Sequence, residues 1–177
     1  MTAAAVWQTR GRGFTLAEML AVVAIVGVLA ASVTPAIRML DDARRAALRA
    51  EVVRMVTVAR AHSAASARPS GVEIDLAGGA ARLLQIPAAG EAPVALHDAL
   101  GTPRLPVPIQ RGEAAVTGAV MGDGREGGGV LWFGLRGVPE LRDPESWVRT
   151  GGWTTDAVIE LAGVEPVVVS RGTGAVR

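Results

Sequence analysis

GFTLAEMLAVVAIVGVLAASVTPAIR, residues Gly13 to Arg38, holds one acidic residue, Glu18, followed by 19 consecutive uncharged positions from Met19 to Ile37. As an α-helix that run extends about 29 Å, the thickness of one bilayer's hydrocarbon layer. A cleaved secretory signal is the competing reading, because Ala30, Ala31 and Ser32 are small enough for a signal peptidase. The length of the run, the carboxylate before it and the helical pattern beyond it all argue for a retained anchor. Glu18 needs an explanation, since an unpaired carboxylate at a bilayer centre costs about 2.5 to 3.5 kcal/mol. It is met either by headgroup-level placement at a helix N-terminus, where the dipole favours an anion, or by a cationic partner.

The run Gly13-Phe14-Thr15-Leu16-Ala17-Glu18, with Arg10 and Arg12 before it, closely resembles the processing site of type IV prepilins and pseudopilins. The resemblance implies that a prepilin peptidase cuts after Gly13 and that the new N-terminal residue, Phe14, is N-methylated. It also implies that Glu18 serves assembly. The cut exposes an α-amino cation at Phe14, which can pair with the Glu18 carboxylate of a neighbouring subunit inside an apolar bundle. Gly27 and Pro35 fall where the family's helix is often weakened, and both residue types loosen a helix locally. Arg38, Arg44, Arg45 and Arg49 after the span outnumber Arg10 and Arg12 before it. Arginine count alone would put the C-terminal side in the cytoplasm. The processing motif requires the reverse, and the reading follows the motif.

Past Pro35, Leu40, Ala43, Ala47, Leu48, Val52, Met55, Ala59 and His62 recur in steps that draw one apolar stripe. Asp41 with Arg45 and Glu51 with Arg54 have the spacing that supports an exposed helical face. Arg68-Pro69-Ser70-Gly71 stops the helix, which would run from Phe14 to about Ala67 and measure about 80 Å. The period then changes to two. Val72, Ile74 and Leu76, the pair Gly78-Gly79 and the run Ala81 to Ile86 read as a β-hairpin. Pro87 to Pro108 reads as loop with a short strand around Val94 to Leu96. Further strands are expected at Ala114 to Val120, Val130 to Leu135, Ala157 to Leu161 and Pro166 to Ser170.

The expected fold is therefore α+β and pilin-like, a long N-terminal helix packed on a C-terminal antiparallel sheet. Its parts are a leader at 1–13, a transmembrane and assembly half-helix at 14–37, an amphipathic half-helix at 38–67 and a β-rich head at 68–177. Ala59-Arg60 through Val72, Thr150-Gly151-Gly152, Val167 to Ser170 and Thr173-Gly174-Ala175-Val176 resemble the type II secretion system protein H (GspH/FimT) family. That family has an aromatic-Pro-Asp-Gly stretch before the Thr-Gly-Gly. Here Phe133-Gly134-Leu135-Arg136-Gly137 leads instead into an extra loop through Arg149.

The 18 basic residues are all arginine, there is no cysteine, and half the chain is hydrophobic with only 3% aromatic residues. Disulfides and thiolate chemistry are excluded, and the core must be aliphatic, with Trp132, Trp147 and Trp153 as core anchors or a contact surface. From Arg38 onward 16 basic residues face 16 acidic ones, which is no nucleic-acid footprint. The run Gly122 to Gly129 lacks the Lys-Ser/Thr of a phosphate loop and reads as a hairpin connection. His62 and His97 make neither a metal site nor a triad, and no structural metal, cofactor or catalytic residue is expected.

The resemblance implies a non-enzymatic minor pseudopilin of the type II secretion system, near the tip of a periplasmic pseudopilus. It would be single-pass in the bacterial inner membrane, N-terminus cytoplasmic and head periplasmic. Its partners would be the prepilin peptidase, other major and minor pseudopilins, the inner-membrane assembly platform and membrane lipid. The alternative is a minor type IV pilin that acts in pilus assembly or takes up DNA, with Arg171 and Arg177 as the contact candidates.

Overall fold

Thr15 and Pro69 bracket the first element. The computed structural model describes residues 14–98 and 100–177, and within it helix α1 spans Leu16–Ser66. The helix stops where Ala67 turns to a left-handed φ of 54°, with Pro69 unable to continue the ladder. Contacts divide the chain into two units between Leu40 and Asp41.

In the first unit the helix is exposed on every side. Leu16, Leu20, Val23, Val26, Val28 and Leu29 all face outward, and helices apolar all round belong in a membrane or among other helices. By length and composition this helix can cross a membrane. Pro35 lies inside it and offers no N–H to the carbonyl of Ala31.

The second unit begins in the same helix and adds eleven strands. They are β1 Ser70–Asp75, β2 Ala80–Gln85, β3 Val94–Ala95, β4 Val107–Pro108, β5 Gln110–Arg111 and β6 Ala114–Val120. They continue as β7 Gly129–Phe133, β8 Pro139–Arg142, β9 Arg149–Gly152, β10 Ala157–Leu161 and β11 Val164–Val169. One antiparallel sheet has the order β3-β2-β1-β7-β8-β9 with β4 also on β2, and a second has the order β11-β10-β6-β5. Leu48, Val52, Met55, Val56 and Ala59 of the helix join Val72, Ile74, Leu131, Phe133, Ile159 and Val167 in one core. Burying Leu48, Val52, Met55 and Val56 contributes roughly 6 to 12 kcal/mol before conformational entropy. The Ser70 hydroxyl donates to the Ala59 carbonyl at 2.7 Å and ties the first strand to the helix.

The fold is α+β as expected, and the differences are local. The stripe is buried only from Leu48 on: Leu40, Ala43 and Ala47 are exposed, while Val56 and Ser63 turn inward and His62 is only partly buried. Asp41 pairs with Arg44 at 3.2 Å rather than with Arg45, which takes Asp42 at 3.4 Å. The run 122–129 turns back on the end of β6, with Val120 bridged antiparallel to Glu126, but it does not connect two paired strands. It carries the chain from β6, paired with β10, to β7, paired with β1. The last strand starts two residues earlier than expected, and Pro166 is tolerated because β11 is an edge.

The stretch 136–149 is not all loop. Its strand β8 pairs Trp132 with Glu140 and Phe133 with Pro139. Two tryptophans are core: Trp132 and Trp153 are buried, with the Trp153 indole donating to the Glu140 carbonyl at 3.0 Å. Trp147 lies partly exposed, edge-on to Trp132 with ring centroids 6.4 Å apart.

Candidate functional site

The site expected at the start of the helix is built from Phe14, Thr15 and Glu18. Gly13 and the leader lie outside the described residues. Phe14 is 77% exposed. Thr15 precedes the helix and its hydroxyl oxygen accepts the Glu18 backbone N–H at 3.2 Å. Glu18 Oε2 in return accepts the Thr15 backbone N–H at 2.8 Å and its hydroxyl at 3.0 Å. This reciprocal arrangement is a capping box, which satisfies two of the N–H groups that every helix start leaves free. The sequence reading treated Glu18 as a dipole partner or an assembly residue and missed Thr15. The Thr-x-x-Glu spacing of residues 15 to 18 was the available signal.

Farther along, Gly27 and Pro35 both lie within the continuous helix. A Cβ built at Gly27 would meet nothing within 4 Å, so no packing inside the subunit explains the glycine. Its effect is on the helix itself, since glycine in a helix interior costs about 1 kcal/mol relative to alanine.

At the other end of the chain the structure brings Arg171 and Arg177 together around one carboxylate. Asp156 accepts the Arg171 backbone N–H at 2.9 Å and pairs with the Arg177 guanidinium at 3.1 Å. The Arg171 side chain donates to the Thr154 carbonyl at 2.8 Å. These contacts staple the C-terminal residues to the loop before β10. A phosphate would have to compete with Asp156 for the Arg177 cation.

The sequence signature described as the prokaryotic N-terminal methylation motif matches residues 9–34. Comparison with curated proteins and with solved structures finds no match. The matched segment contains Gly13, Phe14, Glu18 and Gly27, and most of the exposed apolar helix. Motif and architecture together, a long N-terminal helix followed by antiparallel sheets, support a type IV pilin-like subunit, pilin or pseudopilin. Such a subunit is processed by a prepilin peptidase and assembles with others of its kind.

Proposed function

We propose that the chain is a minor pseudopilin of a type II secretion system, a structural subunit of a periplasmic pseudopilus and not an enzyme. The observation that carries the pilin-like part is the methylation motif over residues 9–34, joined to a helix whose apolar surface no described residue of its own unit covers. In this reading the leader 1–13 is removed after Gly13 and Phe14 becomes the N-methylated terminus. Residues 14–37 cross the inner membrane and later line the filament, 38–67 support the head, and 68–177 form it in the periplasm. Glu18 pairs with the α-amino group of a neighbouring subunit. Gly27 and Pro35 let the helix extend during assembly.

The secretion reading is supported over DNA capture by the balanced charge from Arg38 onward, 16 basic against 16 acidic residues, and by the contacts that already hold both candidate guanidinium groups, Arg177 on Asp156 and Arg171 on the Thr154 carbonyl.

Deleting the gene and measuring the secreted proteins together with DNA uptake separates the two systems. Lost secretion with normal transformation is the expected result; a normal secretome with lost transformation refutes the choice. For the assembly step, Glu18→Gln is expected to insert in the membrane as wild type and to fail to copurify with other pilin-like subunits. Undiminished copurification would remove Glu18 from that role. Mass spectrometry of the native N-terminus is expected to find methylated Phe14.

A further inference from the structure

The turn Leu135–Gly137 between β7 and β8 presents two large aliphatic side chains to the surface, Leu135 at 62% exposure and Val138 at 46%. Both line a groove of about 510 Å³, together with Pro69 from the start of β1 and Ile86 and Pro87 from the end of β2. That volume is typical of ligand clefts, in which an apolar lining is set with a few placed charges.

The charges in this groove are Arg68, Arg142, Arg149 and Glu140. Glu140 and Arg142 are the built part, with side chains only 7% and 10% exposed. Arg142 places Nε 2.6 Å and Nη2 2.5 Å from Glu140 Oε1, and another of its nitrogens holds the Trp147 carbonyl. Arg149 reaches the second oxygen of Glu140 only at 3.6 Å. Arg68 makes no ion pair among the described residues. The groove thus holds three guanidinium groups and one carboxylate, which Arg142 takes up, so that Arg68 and the loosely held Arg149 leave excess positive charge beside an aliphatic surface.

Backbone strain collects at the same place. Ala67, Arg136 and Trp147 are the non-glycine residues with positive φ among the described residues, at 54°, 64° and 58°. Ala67 lines the groove, Arg136 lies in its turn, and the Trp147 carbonyl is held by Arg142. Such conformations are disfavoured for side chains with a Cβ, and strain of this kind concentrates at sites with a function.

We propose that this groove docks an extended segment of a partner protein in which an acidic side chain is flanked by aliphatic ones. Arg68 and Arg149 take the carboxylate, and Leu135, Val138 and Ile86 take the aliphatic neighbours. The guanidinium fork matches a carboxylate in both charge and plane. Leu135 and Val138 set the choice of a polypeptide over a small anion, because a small anion would leave both exposed. The inference stands apart from the secretion reading, since it uses only residues of the second unit.

The test uses the full chain in lipid nanodiscs and two fluorescent pentapeptides, Leu-Asp-Leu-Glu-Leu and its uncharged isostere Leu-Asn-Leu-Gln-Leu, followed by polarisation. The acidic peptide is expected to bind about tenfold or more tighter than the isostere, as one charge-assisted contact predicts. Its affinity should fall as salt is raised. Combining Arg68→Ala with Arg149→Ala, both exposed positions, is expected to remove that preference while the thermal transition stays in place. Equal binding of the two peptides overturns the proposal without recourse to any variant. So does no binding of the acidic one at about 1 mM, or a double variant that keeps the preference. Decanoate displacing the acidic peptide at equal or lower concentration would make the groove a small-anion site, and would also refute docking of a protein segment.

Discussion

Gly134 tests whether the Glu140–Arg142 pair holds the β7–β8 corner together. Its backbone is ordinary, with φ −89° and ψ −160°, so alanine brings no conformational strain. What alanine does bring is a methyl group 1.9 Å from Glu140 Oε2 and 2.5 Å from the carboxyl carbon. The carboxylate must shift, and shifting takes it off the Arg142 guanidinium that holds it. Breaking a buried ion pair by displacing one partner costs about 3 to 5 kcal/mol. Relief by partial movement lowers that toward the roughly 1 to 3 kcal/mol of simple overpacking. Gly134→Ala should therefore destabilise the second unit by about 3 kcal/mol, which for a unit of this size lowers the thermal midpoint by about 6 to 12 °C. Urea unfolding followed by tryptophan fluorescence reads it, because Trp153 is hydrogen-bonded to the Glu140 carbonyl. The decisive comparison is a double-mutant cycle with Glu140→Ala. Once the carboxylate is gone the added methyl has room, so the double variant should be no less stable than Glu140→Ala alone. A Gly134→Ala protein within about 0.5 kcal/mol of wild type, or two effects that simply add, would refute the argument.

Two further outcomes follow from local geometry. The Asp143 carboxyl is held below its ordinary value, first by the Ser146 backbone N–H and then by the Ser146 hydroxyl. A lowered folded value means that its support of the 143–148 turn is complete above the usual carboxylate range and is lost as pH falls through the lowered value. An NMR titration should show this, and an Asp143 that titrates at or above the free value would contradict it. Gly27→Ala should strengthen the helix by about 1 kcal/mol; measured as slowed amide exchange around residue 27 and reduced assembly in cells, it would link the glycine to helix extension. Slowed exchange with unchanged assembly would leave Gly27 without that role.

The N-terminal third was readable because its signal is one of composition. Nineteen uncharged residues after Glu18 allow few structures, and the motif of residues 13–18 marks where they begin. The β1–β2 hairpin was readable for a related reason: alternation in Val72, Ile74 and Leu76 met a Gly78-Gly79 turn, with Gly78 donating to Asp75 at 2.8 Å. Strand β8 was hidden because only Leu141 packs against the core, between two charged residues that line the groove. Pro139-Glu140-Leu141-Arg142 looks like surface loop until Glu140 and Arg142 are seen to neutralise each other out of water. The route of the chain after Val120 was hidden too. Five glycines and the local turn chemistry of residues 122–129 say nothing about which sheet receives the next strand, and that is settled by the distant pairing of β7 with β1. The groove around Leu135 could not be read at all, since Arg68, Ile86 and Arg149 meet only through the tertiary fold.

The geometry at Glu18 bears on the proposal that a single carboxylate serves both folding and assembly. Apolar helices in lipid gain little from one another by the hydrophobic effect, because the lipid chains are as apolar as the helices. Specific association in that setting needs a polar contact or close packing, and residues 14–37 contain one ionisable side chain. Both hydrogen bonds that Glu18 accepts from Thr15 use Oε2. Oε1 accepts no side-chain or backbone donor among the described residues, although a carboxylate offers about four lone-pair sites over its two oxygens. The cap therefore does not compete with an incoming cation. It fixes the carboxylate on the first turn with one oxygen committed and one open, so under the proposed processing an amine made on a neighbouring chain would meet an acceptor that is already oriented. In the proposed filament the ordering cost of that side chain is met before the neighbour arrives, which is where a capping residue and an assembly residue become the same atom group.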